Sequence, residues 1–204
     1  MSYSIVGIVN LALRRVGVAR IVSLIAKTPQ AIDADACWEY IRDIVLQAKD
    51  WKFAKRRYKC PQSVITPQYN WDYAYGLPEG FLRLCREDKD DSPVYPTGYP
   101  YKFETLSDGN LYILSDYNNA NDDFYITYIL KITDPEKYFP AFIDALAWRL
   151  AAELAIPRTE GKEKFKWCID MYKISLTMAE EVNQCLDYLE DETGSTEWED
   201  AGRG

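Results

Sequence analysis

Histidine does not occur in this chain of 204 residues. Its absence excludes Ser-His-Asp and Cys-His catalysis, imidazole acid–base chemistry and every His-containing metal site. The five cysteines, Cys37, Cys60, Cys85, Cys168 and Cys185, are odd in number, and none forms a C-x-x-C. They read as reduced, small apolar residues of a cytosolically assembled protein rather than as a disulfide framework. Nucleotide-binding signatures are missing too, whether G-x-x-x-x-G-K-[ST] or G-x-G-x-x-G. No apolar run approaches the roughly 20 residues that span a bilayer. The apolar start, Ile5 to Leu13, is broken by Asn10 and followed, not preceded, by Arg14 and Arg15, so no signal peptide is expected. Asp116-x-Asn118, near Asn121, Asp122 and Asp123, resembles a calcium loop. Ala120 stands at its fifth position, however, Thr127 stands where the bidentate Glu belongs, and the turn Gly is missing. Glu87, Asp88, Asp90 and Asp91 enclose Lys89 and precede Pro93, as a solvated loop would. No catalytic residue, metal or cofactor is expected, and the chain is not expected to be an enzyme.

What the sequence does contain suits a structural subunit. Hydrophobic residues make up 48% of the chain, enough to bury a sizeable core. Aromatics are abundant, with 16 Tyr, 6 Trp and 7 Phe. Such a surplus fits either subunit interfaces or a Tyr-rich sheet surface. The net charge of −8 is unevenly spread: residues 1–60 carry 11 Lys+Arg against 5 Asp+Glu, and the remainder 13 against 27. A basic beginning and an acidic end could pair head-to-tail between neighbours, or could form two independently solvated faces.

The periodicity predicts an α+β protein, mainly an α-helical bundle of about four helices with a β-rich insertion in the middle of the chain. Helices are expected over 4–16, 30–50, 138–156 and 161–189, and the insertion over about 51–135. Within it, Phe124–Ile132 reads as a central strand, Ser107-Asp108-Gly109-Asn110 as a turn, and 87–100 as an exposed loop. In the last helix the expected inward stripe is Phe165, Cys168, Met171, Tyr172, Ser175, Met178, Val182, Cys185 and Leu189. Residues 1–189 form one domain in this reading, and 190–204 an acidic flexible tail with the lone aromatic Trp198.

The stretch 51–59 interleaves three aromatics, Trp51, Phe53 and Tyr58, with Lys52, Lys55, Arg56, Arg57 and Lys59. In isolation that pattern suits single-stranded nucleic acid. As a strand after a helix, it would instead turn Trp51 and Phe53 to the core and its cations outward. The helix holding Trp148 is apolar nearly all round, with Arg149 and Glu153 placed to pair at i,i+4. The expected contact surfaces are therefore Trp51, Phe53, Lys55, Arg56, Arg57, Trp148, Arg149 and Trp198.

Four ordered segments carry a family likeness. They are Ala12-Leu13-Arg14-Arg15-Val16-Gly17-Val18 with Arg20-Ile21 and Ser23-Leu24; Ala36-Cys37, Tyr40, Arg42-Asp43 and Leu46 through to Trp51-Lys52-Phe53-Ala54-Lys55-Arg56-Arg57; Tyr73-Ala74-Tyr75-Gly76-Leu77-Pro78-Glu79-Gly80-Phe81-Leu82-Arg83; and Tyr128-Ile129, Thr133-Asp134-Pro135 and Phe142 with Ala145-Leu146-Ala147-Trp148-Arg149-Leu150-Ala151-Ala152-Glu153-Leu154-Ala155-Ile156-Pro157. Together they resemble the head-to-tail adaptor of short-tailed bacteriophages, the tail tubular protein A family. The resemblance implies a virion protein assembled in the host cytoplasm as a ring, expected to hold twelve copies. That ring would join the portal protein to the tail tube or nozzle, with genomic DNA passing through it without sequence-specific binding and with no membrane partner. The free chain would be a monomer that assembles on its template. The alternative is a nucleic-acid-binding accessory protein using 51–59.

Overall fold

The computed structural model describes residues 3–85, 94–95, 98–118, 123–156 and 161–185. Helix α1 (Ile5–Arg15) begins at Ser4, whose hydroxyl accepts the Gly7 amide at 3.1 Å. It ends at Gly17, which takes the left-handed φ of +72° while Val18 donates back to the Leu13 carbonyl at 2.9 Å. Helix α2 (Pro29–Ala48) is capped by Thr28, with Pro29 in the first turn where it forfeits no hydrogen bond. Helices α3 (Pro140–Ala155) and α4 (Gly161–Gln184) follow the strands. All four lie within a few residues of their expected ends; residues 186–189 fall outside the described chain.

Among the described residues, seven strands lie between α2 and α3: β1 (Lys55–Lys59), β2 (Tyr73–Gly76), β3 (Phe81–Leu84), β4 (Val94–Tyr95), β5 (Tyr101–Thr105), β6 (Leu111–Ser115) and β7 (Tyr125–Leu130). They form two antiparallel sheets. In the first, β7 is central, pairing β1 on one side and β3 and β4 on the other. In the second, β6 lies between β2 and β5.

Strand β7 explains how the sheets are stacked. Ile129 belongs to the core formed with the helices, while its alternating neighbours Ile126 and Tyr128 belong to a second core with Tyr75, Ile113 and Phe124 of the strand region. Both faces of this strand are covered, which is why its sequence is almost continuously apolar. Tyr75 and Phe124 stack at 4.1 Å, and the Tyr75 hydroxyl donates to the Tyr117 carbonyl at 2.5 Å. The mixed α+β class holds, but the expected single β-rich insertion in a helical bundle does not. The strands form two sheets, and the first is a wall of the helical core as well as of its own.

One further expectation is corrected. Val94 is buried and paired opposite Ile126, so the exposed loop expected over 87–100 contains a strand; residues 86–93 and 96–97 lie outside the described chain. Arg42 of α2, although charged, is 2% exposed, held by Asp43 at 2.8 Å and Glu39 at 3.8 Å. Among the described residues, no helix is long and apolar enough to cross a membrane.

Candidate assembly surface

The basic-aromatic stretch is divided by the backbone. Ala54 and Lys55 both donate to the Trp51 carbonyl, at 2.9 and 2.8 Å, so Trp51 to Ala54 form a turn ahead of β1 rather than its first residues. Trp51 is fully buried, its indole N–H donating to the Val45 carbonyl at 2.8 Å and its ring meeting Phe142 edge-on at 5.1 Å. Phe53 packs on the same Phe142 at 5.0 Å. Trp51 cannot stack on a base or dock on a neighbour without leaving the core, and Phe53 is half-buried beside it. The cations stand apart from them on β1, with Lys55 half-buried and Arg56 and Arg57 exposed. Arg56 donates to the Phe53 and Lys55 carbonyls, and Lys59 pairs with Asp123 at 2.7 Å.

Trp148 also serves the inside of the fold. The Arg15 guanidinium lies 4.0 Å over its ring, and Trp167 meets it edge-on at 5.0 Å. Arg15 also donates to the Asp144 carbonyl at 2.9 Å and is ion-paired to the Asp144 carboxylate, whose other oxygen accepts the Ser175 hydroxyl at 2.6 Å. One cation thereby joins α1, α3 and α4. Burial lowers the pKa of Arg15, and the adjacent carboxylate opposes that shift. Arg149 pairs with Glu153 at 2.7 Å, the expected i,i+4 bridge. Trp198 and the tail 190–204 lie outside the described residues, as do Glu87, Asp88, Asp90, Asp91, Asn121 and Asp122.

The surface that sequence reasoning missed is on α4. This helix is clamped by polar contacts at its C-terminal half. Asn183 donates to the Asp50 carbonyl and accepts the Lys52 amide, both at 2.9 Å, and Glu180 is ion-paired to Lys49. These contacts turn Cys168, Ser175, Ala179 and Asn183 inward. Trp167, Ile174, Met178 and Val182 consequently face outward, at 49%, 51%, 59% and 46% exposure. Their spacings of seven, four and four residues place them on one stripe, with Cys185 at its exposed end. Met178, Val182 and Cys185 were expected on the buried side. The clue in the sequence was the pair Ser175 and Asn183, polar groups that a helix clamps inward only when the fold supplies their partners.

A second apolar prominence lies in the connection 17–28. Asn10 holds Ile21 by two hydrogen bonds, donating to its carbonyl at 2.9 Å and accepting its amide at 2.8 Å. Beyond this anchor, Val22 and Ile25 are 90% and 91% exposed. Arg14 and Arg20 line an open groove of about 560 Å³ with Gly7, Asn10, Leu11 and Val18.

Among the described residues, no three of the side chains Cys, Asp and Glu converge as a metal ion would require. Burial pushes the Cys37 thiol up to about 11 and Cys60 up to about 12, the opposite of what a nucleophile needs. No protein-family model matches the chain, and a search of curated proteins found no match.

Proposed function

We propose that this chain is a structural, non-enzymatic subunit of the neck of a short-tailed phage, where copies form the ring between portal and tail tube or nozzle. The observation that carries the reading is the outward apolar stripe of α4, Trp167, Ile174, Met178 and Val182, on a molecule whose cores are already filled. A contiguous exposed stripe of this kind is what a subunit keeps for its assembly. The four ordered segments that resemble the adaptor family supply the kind of assembly. An acidic chain with net charge −8 suits a channel through which DNA slides without being held.

The test mixes the purified chain with portal rings and images the product by electron microscopy. A stoichiometric ring capping the portal is the expected result; bare portals at every concentration overturn the reading. Because assembly is templated, a monomer in isolation is compatible with it. The accessory-protein alternative predicts salt-dependent DNA binding by the monomer that is lost when Lys55, Arg56 and Arg57 are replaced. Under the ring reading, that binding is weak and indifferent to those replacements.

A further inference from the structure

We infer that the outer stripe of α4 is covered by the connection 17–28 of a second copy of this chain, in a contact that repeats around the assembly. The inference rests on the ring reading and says which surfaces make its joint.

Charge selects the partner. No Asp or Glu precedes Asp33, so the exposed Val22 and Ile25 sit in an acid-free segment that holds Arg14, Arg20 and Lys27. The α4 stripe has an edge of the opposite sign. Glu163, Asp170 and Glu181 are seven and eleven residues apart, which puts them on one line of the helix, each three or four residues from a stripe residue. Among the described residues, Asp170 is ion-paired with Lys173 alone, at 3.7 Å between two exposed side chains, a weak pair that leaves the carboxylate accessible. Lys164 lies on the far edge of the stripe, and Lys166 and Lys173 further round from the acidic line.

The same pattern argues against α4 pairing with its own copy about a two-fold axis. Antiparallel pairing would bring the acidic edges together, and either two-fold arrangement would leave Val22 and Ile25 uncovered. A contact between two different patches on each copy propagates instead, and closes into a ring when the rotation allows. The 17–28 connection is fit for this because Asn10 and the buried Ile21 anchor its backbone, which lowers the cost of ordering it on contact.

The experiment uses the full chain at high concentration, with and without portal rings as template, and a flexible bismaleimide, unaltered and with Val22→Cys. Cys185 is the exposed native thiol at the end of the stripe. The expected product of Val22→Cys is a ladder of covalent dimers, trimers and larger species, with peptides joining position 22 of one copy to Cys185 of another. Adding Glu163→Lys and Glu181→Lys should cut the ladder at least fivefold, and adding Arg20→Glu and Lys27→Glu to that chain should restore it. Unchanged near-ultraviolet circular dichroism of each variant confirms that its fold is intact.

A product that stops at dimers joined through Cys185 alone, the absence of any 22-to-185 peptide, or a ladder indifferent to the charge exchanges each overturns the inference. The ring reading fails separately. Portal-capping rings unaffected by the exchanges would leave the ring and remove this joint, whereas a charge-sensitive ladder that never caps a portal would keep the joint and remove the ring.

Discussion

At the scale of single residues, the structure separates side chains that hold the fold from those that could hold a neighbour. Trp148 lies under Arg15 and against Trp167, so it belongs to the first group. Trp148→Ala removes a large packed ring and leaves Arg15 without its aromatic platform. We expect a loss of about 3 kcal/mol in urea unfolding; an unchanged melting temperature with failed assembly would assign Trp148 to an interface instead. The thiols give a pH prediction. Cys37 and Cys60 are both raised from 9.0 by burial, to about 11 and about 12. The folded state therefore keeps these protons at a pH where the unfolded chain has lost them. Their contribution is fully present below about pH 9 and is lost as pH rises through the folded values. The urea midpoint should fall between pH 8 and pH 10.5, and fall less in Cys60→Ala; equal falls in both chains would dismiss the thiol origin.

At the scale of elements, two glycines at positive φ show how differently turns are constrained. Gly109, φ +81°, turns β5 into β6 with nothing near where a Cβ would be. Gly80, φ +73°, precedes β3, and a Cβ there would lie 3.0 Å from Leu130 Cδ1 on the central strand. Gly109→Ala should cost about 1–2 kcal/mol from backbone strain alone, and Gly80→Ala measurably more in the same denaturation assay. Equal losses would show that Leu130 yields freely. What could be read from the sequence at this scale was local. Ser4, Thr28 and Gly17 mark helix ends by short-range hydrogen bonds or backbone freedom, and the four helices stand close to where their periodicity puts them. Strand partnership was not legible, because β1 pairs with β7, from Lys55↔Ile129 to Lys59↔Tyr125, across a sequence separation that no local pattern encodes. The near-continuous apolar character of 124–132 did identify the central strand, although not the two cores that require it. The candidate surface was half legible. The residues of the α4 stripe are visible as apolar and helical, but their direction is set by Asn183 gripping Asp50 and Lys52 from a distant part of the chain. Trp51 and Phe53 misled for a related reason: alternation suggested a strand, while the Trp51 carbonyl closes a turn that buries Trp51 and leaves Phe53 half-buried against Phe142.

At the scale of the whole molecule, the proposed joint combines two forces that respond oppositely to salt. Residues 1–60 carry a net +6 and the remainder −14, and the proposed contact sets Arg20 and Lys27 against the acidic line Glu163, Asp170 and Glu181 of a charge-balanced α4. Attraction between such surfaces acts over about 10 Å at 0.1 M salt and about 3 Å at 1 M, so salt should weaken it. The apolar contribution of Trp167, Ile174, Met178 and Val182 is not screened, and sulfate strengthens it. Long-range charge chiefly sets the rate of encounter, while close apolar packing sets the lifetime of the contact. Raising sodium chloride from about 0.05 to 0.5 M, where the screening length shrinks severalfold, should therefore slow formation of the cross-linked ladder at least fivefold. The dissociation rate of the uncross-linked contact should change by less than a factor of two. Met178→Ser should do the reverse, leaving the encounter rate near its original value and shortening the lifetime. If salt and Met178→Ser change the same rate constant, opposite charge and the apolar stripe are not separate parts of one joint, and the contact is held by one of them alone.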